Sequence, residues 1–308
     1  MKSVAGLLLA ILVLSGCADA SGPTADAQAQ TPAASASPTA PAPSPGAADG
    51  PIYVALGDSY TAAPGVPETD DDTGCGRSSN NYPSLIAAER QLSLIDVSCS
   101  GADTLALVGT QQTSAGPIAP QLLAIPDDAA LVTMGMGGND EGLFRDLVTT
   151  CLSVAGEDPS GSPCRDAMVE ADGGDLALDR VATIQTRLTS ALTGIKDRAP
   201  QAQVVLVGYP QIVPAQGSCD ILPLAAGDYA YIREVTVALG EATATAAADA
   251  GTEYADVLAA SKGHDVCAGP AAWVNGIANS VGRAAAPLHP FAEGQAAVAD
   301  LVLAALDD

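Results

Sequence analysis

Ile52-Tyr53-Val54-Ala55-Leu56-Gly57-Asp58-Ser59-Tyr60 is an apolar run that ends abruptly in Gly-Asp-Ser. Apolar residues on both alternating faces mark a strand of a parallel sheet that is covered on each side. The small polar residues that follow are turn formers. A turn there lifts the Ser59 hydroxyl out of the carboxyl edge of the sheet, where open α/β sheets bind their ligands.

Working outward, similar short runs rich in β-branched residues lie at 94–97, 130–134 and 204–207, each followed by small residues. Helical stretches separate them, at 82–92, 140–149, 176–198 and 229–250, with a last one at 291–306. In the third of these, Val181, Ile184, Leu188, Leu192 and Ile195 recur at intervals of three and four, which places one apolar stripe against the sheet. The alternation of strand and helix predicts a layered α/β domain. The stretches 62–80, 150–174 and 208–227 read as surface loops of the kind that shape a site.

The chain before Pro51 differs in kind. Residues 1–17 open with Lys2, run apolar from Val4 to Leu14 apart from Gly6, and close on Leu14-Ser15-Gly16-Cys17. This is the pattern of an export signal, and its apolar run is short for a bilayer span. The last four residues resemble the bacterial lipobox, which implies a lipid on Cys17. Residues 18–50 are Ala, Pro, Ser, Thr and Gly with little to bury, a flexible linker. One domain, 51–308, remains to fold.

Without Cys17, six cysteines are left: Cys75, Cys99, Cys151, Cys164, Cys219 and Cys267. An even number in an exported chain reads as three disulfides. Proximity favours joining them consecutively, although six cysteines allow about 15 pairings. A zinc site is the competing use, but no Cys-x-x-Cys occurs and the chain has two His. The net charge of −24 excludes nucleic acid as a natural partner and leaves membrane association to the lipid.

Four segments carry the chemistry: Gly57-Asp58-Ser59-Tyr60, Ser100-Gly101-Ala102, Gly137-Gly138-Asn139-Asp140 and His289-Pro290. The first is not a G-x-S-x-G elbow, since Thr61 stands where the second Gly would be. In this order the four resemble the blocks of the SGNH (GDSL) hydrolases, and they span nearly the whole folded domain. The six-cysteine layout and Trp273-Val274-Asn275-Gly276 resemble the secreted actinobacterial esterase and lipase branch.

The resemblance implies an α/β three-layer sandwich, flavodoxin-like, with a parallel sheet of about five strands. It also implies a serine ester hydrolase that works through an acyl-enzyme. Ser59 would be the nucleophile and His289 the general base. The amides of Ser59 and Gly101 and the side chain of Asn139 would form the oxyanion hole.

One position departs from the family pattern. Three residues before the His, where an orienting Asp is usual, stands Ala286. A Ser-His dyad is therefore expected, its imidazole held by a backbone carbonyl near Ala286 or Pro287. Asp265 is the alternative orienter, although a structural role suits it better. Asp58, next to the nucleophile, reads as an acceptor that fixes the loop.

The substrates implied are acyl esters, small or lipid. Deacetylation of envelope polysaccharide and a non-catalytic binding lipoprotein are the alternatives. No metal or organic cofactor is required by this chemistry, and none is expected. A monomer, exported and either tethered to the outer face of the membrane or released, completes the expectation.

Overall fold

The computed structural model describes residues 50–277 and 283–307. The expected signal segment, the expected linker up to residue 49 and the expected lipid site Cys17 lie outside the described residues.

Five strands form one parallel sheet: β1 (Ile52–Gly57), β2 (Ser93–Asp96), β3 (Leu131–Gly135), β4 (Gln203–Val207) and β5 (Glu253–Ala255). Their spatial order is β2-β1-β3-β4-β5, the flavodoxin-like arrangement. Every pair is parallel. The chain leaves β1 toward one edge and returns at β3 on the other side of it, so a crevice opens between the carboxyl ends of those two strands.

The two faces of the sheet bury different residues, as a period of two requires. Val54, Leu56, Val132, Met134, Val204 and Leu206 face a core shared with α5 (Leu176–Arg198) and α6 (Asp228–Ala250). Tyr53, Ala55, Leu131, Val205 and Val207 face α2 (Tyr82–Arg90) and α8 (Ala292–Asp307). The stripe predicted on α5 is fully realised: Val181, Ile184, Leu188, Leu192 and Ile195 are all buried. Asp175 caps that helix by accepting from the amides of Ala177 and Leu178, and Lys196 and Arg198 stand in its last turn. Among the described residues, no helix is long and apolar enough to cross a membrane.

The remaining helices are short: α1 (Ser59–Ala62), α3 (Leu143–Val154), α4 (Pro163–Ala167) and α7 (Val257–Ala260). The helix expected from residue 140 begins at Leu143, after a 3-10 turn in which Glu141 takes a left-handed backbone, φ 52°. The loop expected at 150–174 gives up its start to α3 and its middle to α4, and 62–80 contains a small hairpin pairing Thr69–Asp70 with Arg77–Ser78. β5 was not foreseen, because three residues beginning with Glu carry too little periodicity to register as a strand.

Disulfides join Cys75 to Cys99, Cys151 to Cys164 and Cys219 to Cys267, the consecutive pairing. The first ties the 62–80 loop to the residues just past β2, and the second ties α3 to α4. The third closes the longest loop, with a sequence separation of 48, and holds the irregular 208–227 segment to the region before the final helix. Replacing Cys219 and Cys267 together by Ala is expected to cost about 2–5 kcal/mol of stability. Denaturant melts would show it, and an unchanged midpoint would contradict a stabilising role for this bridge.

Candidate active site

Backbone chemistry at the end of β1 sets Ser59 in place. Asp58 is the N-cap of α1 and accepts from the amide of Tyr60 at 2.8 Å, so Ser59 becomes the first helical residue. Its own amide has no hydrogen-bond partner among the described residues. Gly57 is pinned from both sides by the buried Gln121, which accepts from its amide and donates to its carbonyl, both at 2.9 Å. A side chain at Gly57 would collide with Thr61.

The Asp58 carboxylate is fully buried, and burial pushes it up to about 7 against the opposing pull of the Tyr209 hydroxyl and the Tyr60 amide. Tyr209, just past β4, donates to that carboxylate and accepts from the amide of Gly138 at 2.8 Å. One carboxylate thus links the ends of β1, β3 and β4. A second buried acid, Asp140, accepts from the amide and hydroxyl of Thr104 and joins the turn after β3 to the turn after β2.

Asn139 follows directly in that turn. Its side-chain nitrogen donates to the carbonyl of Ala102 at 3.0 Å, and an amide nitrogen has a second hydrogen to give. Gly101 adopts φ +79°, a conformation suited to glycine, and its amide also lacks a partner among the described residues.

His289 arrives on a turn before α8. The carbonyl of Ala286 accepts from the amide of His289, with Pro287 and Leu288 between them and Leu288 at φ 62°. A positive φ at the third position of a turn ordinarily calls for Gly or Asn, so Leu288 is a strained choice. The turn is strapped down on several sides. Its Leu288 carbonyl accepts from the Tyr60 hydroxyl at 2.7 Å, and the amide of Ala286 donates to Pro64. Asn275 holds the other flank: its backbone exchanges bonds with Leu288 and His289, and its side chain donates to Ala285.

The imidazole Nδ1 bonds the carbonyl of Pro287 at 2.8 Å. Of the two carbonyls considered, Pro287 is therefore the holder. The Ala286 oxygen accepts from the His289 amide and makes no bond to the ring. Asp265 does not reach the ring either: its buried carboxylate accepts from the Cys267 amide at 2.9 Å and shapes the loop beside the third disulfide. Burial lowers the imidazole pKa, and the bond to Pro287 partly offsets this.

Ser59, Asn139 and His289 line a single groove of about 340 Å³, whereas Gly101 lies outside that lining. The rest of the wall is chiefly apolar. It comes from α3 (Phe144, Leu147, Val148, Leu152), the 208–227 loop (Ile212, Val213, Leu222, Leu224) and Ile232 of α6. Trp273 is not part of it and stacks on His264, with ring centroids 4.4 Å apart.

The supporting residues Tyr209, Gln121 and Gln295 carry no signal in the sequence, and Asn275 stands out there only as part of Trp273-Val274-Asn275-Gly276, with no role attached. Gln295, buried in α8, donates to the Tyr60 carbonyl and accepts from the Tyr82 amide. Nothing in residue order marks Gln121, Tyr209 or Gln295, which are 64 to 235 positions from the groups they hold.

Tyr209→Phe would leave the Gly138 amide unsatisfied in a buried place. A stability loss of about 1–3 kcal/mol is expected, with a fall in kcat on ester substrates and little change in KM. Denaturation and steady-state kinetics read both effects, and a variant indistinguishable from wild type would refute the linking role.

Comparison with known proteins agrees with this geometry. The model of the GDSL-like lipase/acylhydrolase family matches residues 55–297. Lipase 2 of Streptomyces coelicolor is 38% identical over 255 residues, covering 80% of this chain and 83% of that protein. A lipase of Streptomyces rimosus is 34% identical over 245 residues, covering 79% and 82%. Among solved structures, a phospholipase A1 from Streptomyces albidoflavus superposes with a TM-score of 0.62 at 30% identity, covering 84% of this chain and 98% of that one. The extracellular lipase of Streptomyces rimosus does so with the same score and identity, covering 83% and 99%. The matched span takes in the serine after β1, the asparagine after β3 and the histidine before α8, and on this ground the chain belongs to the GDSL-like lipase/acylhydrolase family.

Proposed function

We propose that this ester hydrolase is a lipid-tethered, exported lipase or esterase that works through a Ser59–His289 dyad. The observation that carries the reading is one apolar groove lined by Ser59, Asn139 and His289, with the histidine Nδ1 committed to a main-chain carbonyl. With Nδ1–H donating to Pro287, the neutral ring leaves Nε2 free to accept a proton.

In the first step Ser59 attacks the ester carbonyl while His289 takes its proton and passes it to the departing alcohol. Water then enters by the same route and releases the acid. The unpaired amides of Ser59 and Gly101 and the spare hydrogen of Asn139 would meet the oxyanion. Among the described residues no carboxylate bonds the ring, so its orientation rests on the Pro287 dipole.

The groove's volume falls near the small end of ligand pockets, roughly 300–1,000 Å³, and its apolar wall suits an acyl chain better than an acetyl group on a sugar. The likeness to the Streptomyces phospholipase and lipases supports the same class of substrate.

Ser59→Ala is expected to abolish hydrolysis of p-nitrophenyl esters from acetate to palmitate without loss of stability, with wild-type turnover peaking beyond acetate. Retained turnover in the variant would overturn the nucleophile, and an acetate-only profile would overturn the acyl-chain assignment. Because burial disfavours the charged imidazole, the acid limb of kcat/KM should lie below the ordinary histidine value of about 6.5. A limb above that value would contradict the half-buried setting of the ring.

The tether is tested at Cys17. Cys17→Ser should abolish incorporation of labelled palmitate into the full-length chain and release the protein into the medium. Unchanged labelling would exclude that residue as the anchor.

A further inference from the structure

On the other side of the groove's wall lies a second one, of about 410 Å³, formed by one face of α6, the 211–215 segment and α7. Thr236 lines both grooves. Gln211 faces the second while its neighbours Ile212 and Val213 face the first, so the two are separated by a single layer of residues.

The second groove collects cations that the rest of the protein leaves unneutralised. Of twelve basic residues, Lys2 lies outside the described ones. Six arginines sit in ion pairs with carboxylates. Arg77, Lys196 and Arg198 donate to backbone carbonyls. Among the described residues only Arg233 and Lys262 make neither kind of contact, and both line this groove.

Arg233 is half-buried, and its Nε is buried without a hydrogen-bond partner among the described residues. A buried charged donor in that state is costly unless something outside the protein answers it. In a chain of net charge −24, acids to neutralise it are plentiful. Two stand in the groove itself and do not pair with it. Asp256 uses one carboxylate oxygen to cap α7 through the Ala259 amide. Glu241 lies two helical turns along α6, roughly 12 Å away along the axis.

Beside Gln211, Thr236 and Tyr254, the remainder of the groove is apolar. Val237, one of the few large hydrophobic residues left exposed, lies one residue from Thr236, with Leu258 and Ala244 nearby in the lining. A guanidinium fork and an ammonium beside an apolar strip match a phosphate group carried on a hydrocarbon tail. At physiological ionic strength charges beyond about 8 Å are screened, so the acidic body of the protein outside the groove counts little against these two cations.

We propose that this groove is a second binding site, separate from the candidate catalytic one, for a phosphate-bearing amphiphile whose phosphate meets Arg233 and Lys262. The inference does not depend on which residues perform hydrolysis.

Calorimetric titration of the whole chain with octyl phosphate, below its micellar concentration, tests it. The controls are octyl glucoside and inorganic phosphate. Arg233→Gln combined with Lys262→Gln should weaken octyl phosphate at least about tenfold. It should leave octyl glucoside binding and p-nitrophenyl acetate hydrolysis unchanged. Lys262→Gln alone, on an exposed position, should weaken it about threefold and gives the answer if the double variant fails to fold. Octyl phosphate binding that neither variant alters would overturn the site, and inorganic phosphate binding as tightly as octyl phosphate would overturn the amphiphile.

Discussion

The Asp58 carboxylate is the point from which the active face of this protein is organised. A charge buried in a sheet's interior is tolerated only when donors surround it, and here the donors come from different places in the chain. The Tyr60 amide fixes the start of α1, and the Tyr209 hydroxyl brings in the end of β4. Through Tyr209 the Gly138 amide is held as well, so the turn that presents Asn139 is in register with the one that presents Ser59. Three adjacent strands could each end in a loop of independent shape. Their common acceptor removes that freedom.

The histidine side of the groove is organised differently. Among the described residues no side-chain acid bonds it, and the turn from Ala286 to His289 is held by main-chain contacts to Asn275 and Pro64 and by the hydroxyl of Tyr60. These contacts pay for the left-handed Leu288. Val274, beside Asn275, packs in one cluster with Val266 and the bridged Cys219 and Cys267, and Asp265 shapes that loop by accepting from the Cys267 amide.

Much of this was legible in residue order, for physical reasons. Parallel strands buried on both faces announce themselves as apolar runs, and α5 announces itself by its stripe, because burial acts on every residue of these elements. Ser59, Asn139 and His289 could be found because short local motifs carry them. Their supports could not. Tyr209 and Gln295 are single polar residues whose partners are distant in sequence, and a lone buried Gln in a helix looks like any exposed one until its neighbours are known. The choice between Ala286 and Pro287 had the same cause, since every residue has a carbonyl and only the shape of the turn decides which one faces the ring. β5 was lost to its brevity.

The Pro287 carbonyl constrains how this chain can vary. The atom that holds the imidazole belongs to the peptide backbone, so no exchange of side chain can delete it as Asp→Ala would delete an orienting acid. What natural drift could damage is the curvature of the turn: a residue at 288 that refuses a left-handed backbone, or an Asn275 replaced by something unable to reach Ala285. The orienting function is stored as shape rather than as chemical identity. Its loss would leave no missing functional group to notice, only a ring no longer held by Pro287.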